Sequence, residues 1–115
     1  MPGIITTLHE QNCNSDKPPQ LLNTGQIKTY LNQVPGWEYL AEQKSILRNF
    51  SFANFYETVA FVNAAAWIAQ QENHHPDISF GYNKCKILYT THSAQGITLF
   101  DFICAAKINQ LLKDE

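Results

Sequence analysis

The chain has 115 residues, of which 44% are apolar and 16% charged, enough apolar material for one hydrophobic core and too little charge for a disordered tail. Eight Lys and Arg against ten Asp and Glu leave a formal charge of −2, so there is no broad positive field for phosphate and direct nucleic-acid binding is disfavoured. The longest apolar stretch, residues 64–69, is far short of the about 20 needed to cross a bilayer, the N-terminus lacks a basic-then-apolar leader, and Cys13, Cys85 and Cys104 show no C-x-x-C spacing; a cytoplasmic protein with reduced thiols, no metal knuckle and no membrane association is expected.

Residues 1–20 are rich in amides and small polar side chains, end near a proline pair and present no periodic apolar face. They read as an N-terminal extension before a domain spanning residues 21–115. Within residues 21–34, Ile27, Leu31 and Val34 recur at helical spacing behind Thr24 as N-cap, and Pro35-Gly36 ends the helix. Trp37, Tyr39, Ile46, Leu47 and Phe50 flank the polar cluster Glu42-Gln43-Lys44, the pattern of two short strands around a turn. Ser51 is then an N-cap candidate for a long helix whose stripe is Phe55, Val59, Val62, Ala66 and Ala69, ending near Asn73 because Pro76 biases His75 out of the helical region. Ile78, Phe80 and Tyr82, then Cys85, Ile87, Tyr89 and Thr91, alternate as the strands of a second hairpin. Residues 93–96 break it, and Thr98 with Asp101 three residues on makes a capping box for a last helix with Phe100, Cys104, Ile108 and Leu111 inward. The order α-β-β-α-β-β-α, with strand pairs between helices, predicts an α+β domain with a four-stranded antiparallel sheet and helices packed on one face.

Three of the four histidines lie between positions 74 and 92. His74 and His75 sit just past a helix end, His92 ends the last strand, and hairpin pairing brings the start of one strand beside the end of the other. Imidazole, with an unperturbed pKa of about 6.5, both donates and accepts protons near neutrality, so such a cluster suits general acid and base work. The plainer alternative is that His75 packs under the Pro76 turn and His92 is a satisfied strand-end residue. A metal site completed by Glu72, Asp77 or Cys85 is a third reading, although no H-x-H or H-x-x-x-H spacing is present. Cys85 or Cys104 as nucleophile is disfavoured because both fall on inward positions. Trp37, directly after Pro-Gly, is read either as core or as a rim on which a flat ligand stacks.

The residues Glu72-Asn73-His74-His75-Pro76, Tyr82-Asn83, Thr91-His92, Gly96 and Asp101 resemble the signature of the pterin-4a-carbinolamine dehydratase family, over residues 21–112, with Pro35-Gly36-Trp37 similar to that family's first strand start. The resemblance implies a small α+β domain assembling into homodimers or homotetramers, without metal or cofactor. It implies dehydration of 4a-hydroxytetrahydrobiopterin, released by an aromatic amino acid hydroxylase, to quinonoid dihydropterin, in support of tetrahydrobiopterin recycling. By the same resemblance His74 and His92 are the catalytic acid and base, and His75 is a catalytic residue that contacts and orients the pterin. Trp37, His74, His75, Pro76, Thr91, His92, Ser93 and Ala94 bind substrate, and Asp101 orients His92. Gln70 departs from the family, whose members often carry an acid four positions before the first histidine, and Glu72 is the nearby carboxylate that could orient in its place. Extended N-termini are more like those of bacterial members. Some members act without catalysis as partners that stabilise dimers of a homeodomain transcription factor. Phe52, Tyr56, Ala60 and Trp67 on the long helix are candidates for such a face, or for self-association. A pterin-binding protein without turnover is the remaining alternative.

Overall fold

The structure, a computed structural model, describes residues 7–13 and 18–112. Its elements are α1 (Thr24–Leu31), β1 (Glu38–Leu40), β2 (Ser45–Ser51), α2 (Phe55–Glu72), β3 (Asp77–Phe80), β4 (Lys84–Tyr89) and α3 (Leu99–Gln110). This is the α+β order expected. The strands form one antiparallel sheet in the order β1-β2-β4-β3. In β4 the side chains alternate as the sequence does: Cys85, Ile87 and Tyr89 are buried, whereas Lys84 and Lys86 are exposed. Ile46 and Phe50 of β2 join them on the face that meets Phe102, Ile103 and Ile108 of α3. Each such side chain contributes roughly 1.5–3 kcal/mol by leaving water.

Both hairpins form where turn chemistry permits. The first closes through a 3-10 turn at Ala41–Gln43 and a left-handed Lys44 (φ 51°). The second pairs Asp77 with Leu88 and Phe80 with Cys85, so Tyr82 falls in the turn and not in the strand. Gly36 has φ 91°, and an added Cβ would lie 2.5 Å from Arg48 Nε, so only glycine fits the turn into β1. The Arg48 guanidinium lies against that turn, donating to Pro35 O (3.0 Å) and Asn109 Oδ1 (2.6 Å).

Five expectations about the helices are corrected. The α1 cap is Asn23, not Thr24: Asn23 Oδ1 accepts from Gln26 N while Gln26 Oε1 accepts from Asn23 N, and the helix stops at Leu31, short of the buried Val34. The α2 cap is Asn54, not Ser51, because Ser51 is still paired with Lys84 in the sheet. The buried face of α2 is accordingly Thr58, Phe61, Ala65 and Ala69. Phe55 and Ala66 of the expected stripe are exposed; α2 is apolar on more than one side, so it carries two stripes at helical spacing, and the one with Phe61 and Ala65 packs into the core. In α3, Cys104 and Ile108 are buried and Phe100 partly so, but Leu111 lies beyond the helix and is exposed.

Among the proposed surface residues of α2, Tyr56, Ala60 and Trp67 are exposed. Phe52 precedes the helix and packs 5.0 Å from Phe61. Residues 1–6 and 14–17 of the expected N-terminal extension lie outside the described residues. Residues 7–13 dock on α3: Leu8 is buried, and Lys107 Nζ donates to His9 O (2.9 Å). No helix among the described residues is long and apolar enough to cross a membrane.

Candidate active site

The end of α2 sets the position of the first histidine. Asn73 takes a left-handed conformation (φ 51°), its N–H donating to Ala69 O and Gln70 O, and His74 N also donates to Ala69 O (3.1 Å). Asn tolerates that conformation with little strain, and Pro76 prevents the helix from resuming. The chain therefore turns sharply at His74 and enters β3 at Asp77.

His74 lands on the N-terminus of α3, where its Nε2 lies 2.7 Å from Asp101 Oδ1. The capping box expected at this helix is present, with Asp101 accepting from Thr98 N at 2.9 Å. Asp101 is fully buried, and its Oδ2 also accepts from Thr91 Oγ1 (2.8 Å). Since a carboxylate only accepts, the hydroxyl proton of Thr91 is committed to Asp101; the 2.8 Å contact between the two threonines must then be Thr98 Oγ1 donating to Thr91 Oγ1. By the same logic His74 carries a proton on Nε2. A buried carboxylate at the first turn of a helix is stabilised by the helix dipole and by these donors.

The rest of the His74 ring is enclosed on two sides. Tyr89 stacks against it with ring centroids 5.1 Å apart and planes 16° apart, and Phe100 meets it edge-on at 6.0 Å. The Tyr89 hydroxyl donates to His74 O (3.0 Å). The His74 side chain retains 12% exposure, so one edge reaches solvent.

His92 follows Thr91 directly, opening a 3-10 turn over His92–Ala94 with Gln95 left-handed (φ 61°). Backbone bonds from Thr91 N to Gly96 O (3.0 Å) and from Ala94 N to Thr91 O (3.1 Å) tighten this loop and leave His92 and Ser93 exposed. An added Cβ on Gly96 would sit 2.9 Å from Leu21 Cδ2. A cavity of about 290 Å³ lined by Tyr39, Lys44, Ala94 and Gly96 adjoins the loop. The register that pairs Asp77 with Leu88 carries residues 74–76 and 89–92 to one end of the sheet. His74 and Thr91 are thus joined through Asp101, with His75, Pro76, His92, Ser93 and Ala94 next to them along the chain at that end of the sheet.

Other expected residues lie elsewhere. Trp37 is not at a rim: only 6% exposed, it packs near Phe50 and Tyr89 and donates from Nε1 to Asn109 Oδ1 (2.9 Å), which holds it in the core. Both carboxylate oxygens of Asp101 serve His74, Thr91 and Thr98, as described, which makes His74 the histidine it orients. Glu72 turns to the N-terminal segment, its Oε1 accepting from Cys13 N (2.7 Å) and its Oε2 lying 3.7 Å from Lys107 Nζ. Gln70 Oε1 is 3.5 Å from the Nε2 of the exposed His75. A cavity of about 550 Å³ beside Arg48 and Asn109 lies at the other end of α3. Tyr89 is the residue that the sequence pattern assigned only to the core; the signal for a second role is a hydroxyl at a fully buried strand position, which requires a partner. Among the described residues, no group of three or more His, Cys, Asp or Glu side chains is placed to hold a metal ion.

Comparison with known proteins points one way. The model of the family described as Pterin 4 alpha carbinolamine dehydratase matches residues 20–111. A Legionella pneumophila (strain Corby) protein is 56% identical over 94 residues, covering 81% of this chain and 83% of its own. One from Hydrogenovibrio crunogenus is 47% identical over 106 residues, covering 91% and 94%. Both bear the name "Putative pterin-4-alpha-carbinolamine dehydratase". Among solved structures, a transcriptional coactivator/pterin dehydratase from Brucella melitensis superposes with a TM-score of 0.78 at 29% identity, covering 82% of this chain and 100% of that one. A pterin dehydratase-like protein described as a RuBisCO assembly factor in the alpha-carboxysome shares the fold at a TM-score of 0.60 and 21% identity, covering 70% and 93%.

Proposed function

This chain belongs to the pterin-4-alpha-carbinolamine dehydratase family, whose enzyme class is that of a hydro-lyase, and from that premise we propose that it dehydrates 4a-hydroxytetrahydrobiopterin by histidine acid and base catalysis. In the carbinolamine the N5 lone pair expels the 4a-hydroxyl once that oxygen is protonated. The C4a–O bond breaks, a C4a=N5 double bond forms, and N5 gives up its proton. The products are quinonoid dihydropterin and one water. One donor and one acceptor suffice, each contributing about 10² to 10⁴ in rate, and His74 and His92 fill these roles while His75 contacts and orients the pterin ring. Pro76, Thr91, Ser93 and Ala94 line the pterin's approach, within a dehydratase domain of residues 21–115 that follows an extension of residues 1–20.

The observation that carries the reading is the 2.7 Å contact between His74 and the buried Asp101. An imidazole held by a buried carboxylate has a fixed tautomer and a fixed edge toward solvent, which is what proton transfer to a bound ring requires. The reading extends to a cytoplasmic homodimer or homotetramer that draws its substrate from an aromatic amino acid hydroxylase and needs no cofactor.

A second reading, a non-catalytic pterin binder or dimerisation partner, is favoured by one observation: Tyr56 and Trp67 stand on α2 with 83% and 64% exposure. Self-association through α2 accounts for them within the first reading. Stopped-flow absorbance of enzymatically generated 4a-hydroxytetrahydropterin separates the two. A dehydratase shortens the decay of that intermediate, whereas a binding protein leaves it at the rate seen in buffer.

A further inference from the structure

We propose that Tyr89 is a positioning residue acting through His74, holding the imidazole so that Nε2 stays on Asp101 and Nδ1 is the nitrogen that exchanges protons with the substrate. The inference rests on the dehydratase reading for its kinetic part only.

His74 lies in the short connection between the left-handed Asn73 and the first residue of β3, where its N–H is held by Ala69 O (3.1 Å) but its carbonyl lies outside both the helix and the sheet ladder. The Tyr89 hydroxyl supplies that restraint by donating to His74 O (3.0 Å). Its ring supplies a second restraint by lying nearly parallel beneath the imidazole, 5.1 Å between centroids, with Phe100 closing another side. One residue thus holds both the backbone and the ring face of the same histidine. Tyr89 is itself immobilised, fully buried at the end of β4 with Trp37 6.5 Å away.

A leucine or phenylalanine would fill this core position without requiring a partner for a buried hydroxyl. Burial pushes the phenol well above its ordinary range, so it remains a protonated donor wherever the enzyme works. Among the described residues, the titratable groups that hydrogen-bond His74 are Asp101 from α3 and Tyr89 from β4, and Cys104 of α3 neighbours Tyr89. Asp101 accepts at Nε2, so the neutral imidazole carries its lone pair on Nδ1. Rotation of the ring about Cβ–Cγ would put Cε1 where Nε2 lies and lose the Asp101 bond; the Tyr89 stack and the Phe100 edge oppose it.

The test is ¹⁵N NMR of the imidazole nitrogens in the full chain, with the His74 signals assigned by their loss in His74→Ala, alongside steady-state dehydration kinetics. The wild type should show His74 as the Nε2–H tautomer with an unprotonated Nδ1. Tyr89→Phe keeps the ring and loses the hydroxyl, and should lower kcat about 10-fold with KM unchanged; Tyr89→Leu loses both, should lower kcat about 100-fold, and should give mixed tautomer signals. A neutral wild-type His74 that carries its proton on Nδ1 and not on Nε2 overturns the proposal. So does a folded Tyr89→Leu with wild-type kcat and tautomer. If Tyr89→Leu does not fold, Tyr89→Phe decides: an unchanged kcat and unchanged nitrogen shifts overturn the role. An inactive wild type with the expected tautomer defeats the dehydratase reading and leaves the ring assignment standing.

Discussion

His74 Nε2 and Asp101 Oδ1 meet at 2.7 Å although 27 positions separate them in sequence. The contact joins the end of α2 to the start of α3 and makes one carboxylate serve two tasks, capping a helix and orienting an imidazole.

Replacing Asp101 with Asn tests both tasks. One amide face would turn a donor toward either the Nε2–H of His74 or the hydroxyl of Thr91, both of which already donate to Asp101. Loss of one buried charge-assisted hydrogen bond should cost about 1–3 kcal/mol of stability, and loss of the orienting contact should lower kcat about 10- to 100-fold. Urea denaturation and dehydration kinetics on the same preparation read the two effects.

Gly36→Ala should destabilise the protein by about 1–3 kcal/mol, from a left-handed backbone forced on alanine and from displacement of Arg48, whose Nε lies 2.5 Å from the new Cβ. Combining it with Arg48→Ala should relieve the steric part alone. A double-mutant cycle by chemical denaturation would show a non-additive result of that sign, whereas simple additivity would refute the clash.

Alkaline pH should destabilise the fold. Burial raises the thiols of Cys13 and Cys85 above their ordinary 9.0 and the Tyr89 phenol above its ordinary 10.0. For Cys13 the neighbouring Cys104 thiol, 3.8 Å away, is the larger cause. The unfolded chain releases these protons first, so the stability they carry is intact below about pH 9 and is lost progressively above it. Urea midpoints measured from pH 7 to pH 11 should hold steady and then fall; a midpoint that is flat to pH 11 would contradict the burial of these groups.

Glu72→Ala should loosen the N-terminal segment without touching chemistry. It removes the acceptor for Cys13 N and the carboxylate beside Lys107. Hydrogen exchange of residues 11–13 should accelerate, with kcat for dehydration unchanged.

What could be read along the chain was local. The Thr98–Asp101 box spans four residues and the alternation of Cys85, Ile87 and Tyr89 spans five, so both are legible, as is Asn73 as a left-handed stop. What failed needed contacts at long range or a choice between equivalents. Ser51 and Asn54 are both competent caps, and only the pairing of Ser51 with Lys84 across the sheet selects Asn54. The buried face of α2 is set by its packing against α3 and the sheet, which the local spacing does not carry. Trp37 was open between core and rim because its anchor, Asn109, lies 72 positions away. Glu72 was matched to the histidines beside it in sequence, yet its partner is Cys13, 59 positions distant.

The most direct measurement is stopped-flow decay of 4a-hydroxytetrahydropterin produced by an aromatic amino acid hydroxylase, with wild type, His74→Ala and His92→Ala compared at equal concentration. The account predicts that the wild type shortens the decay and that each substitution removes about 10² to 10⁴ of the acceleration. A wild-type decay no faster than buffer, or an acceleration that survives both substitutions, would contradict it.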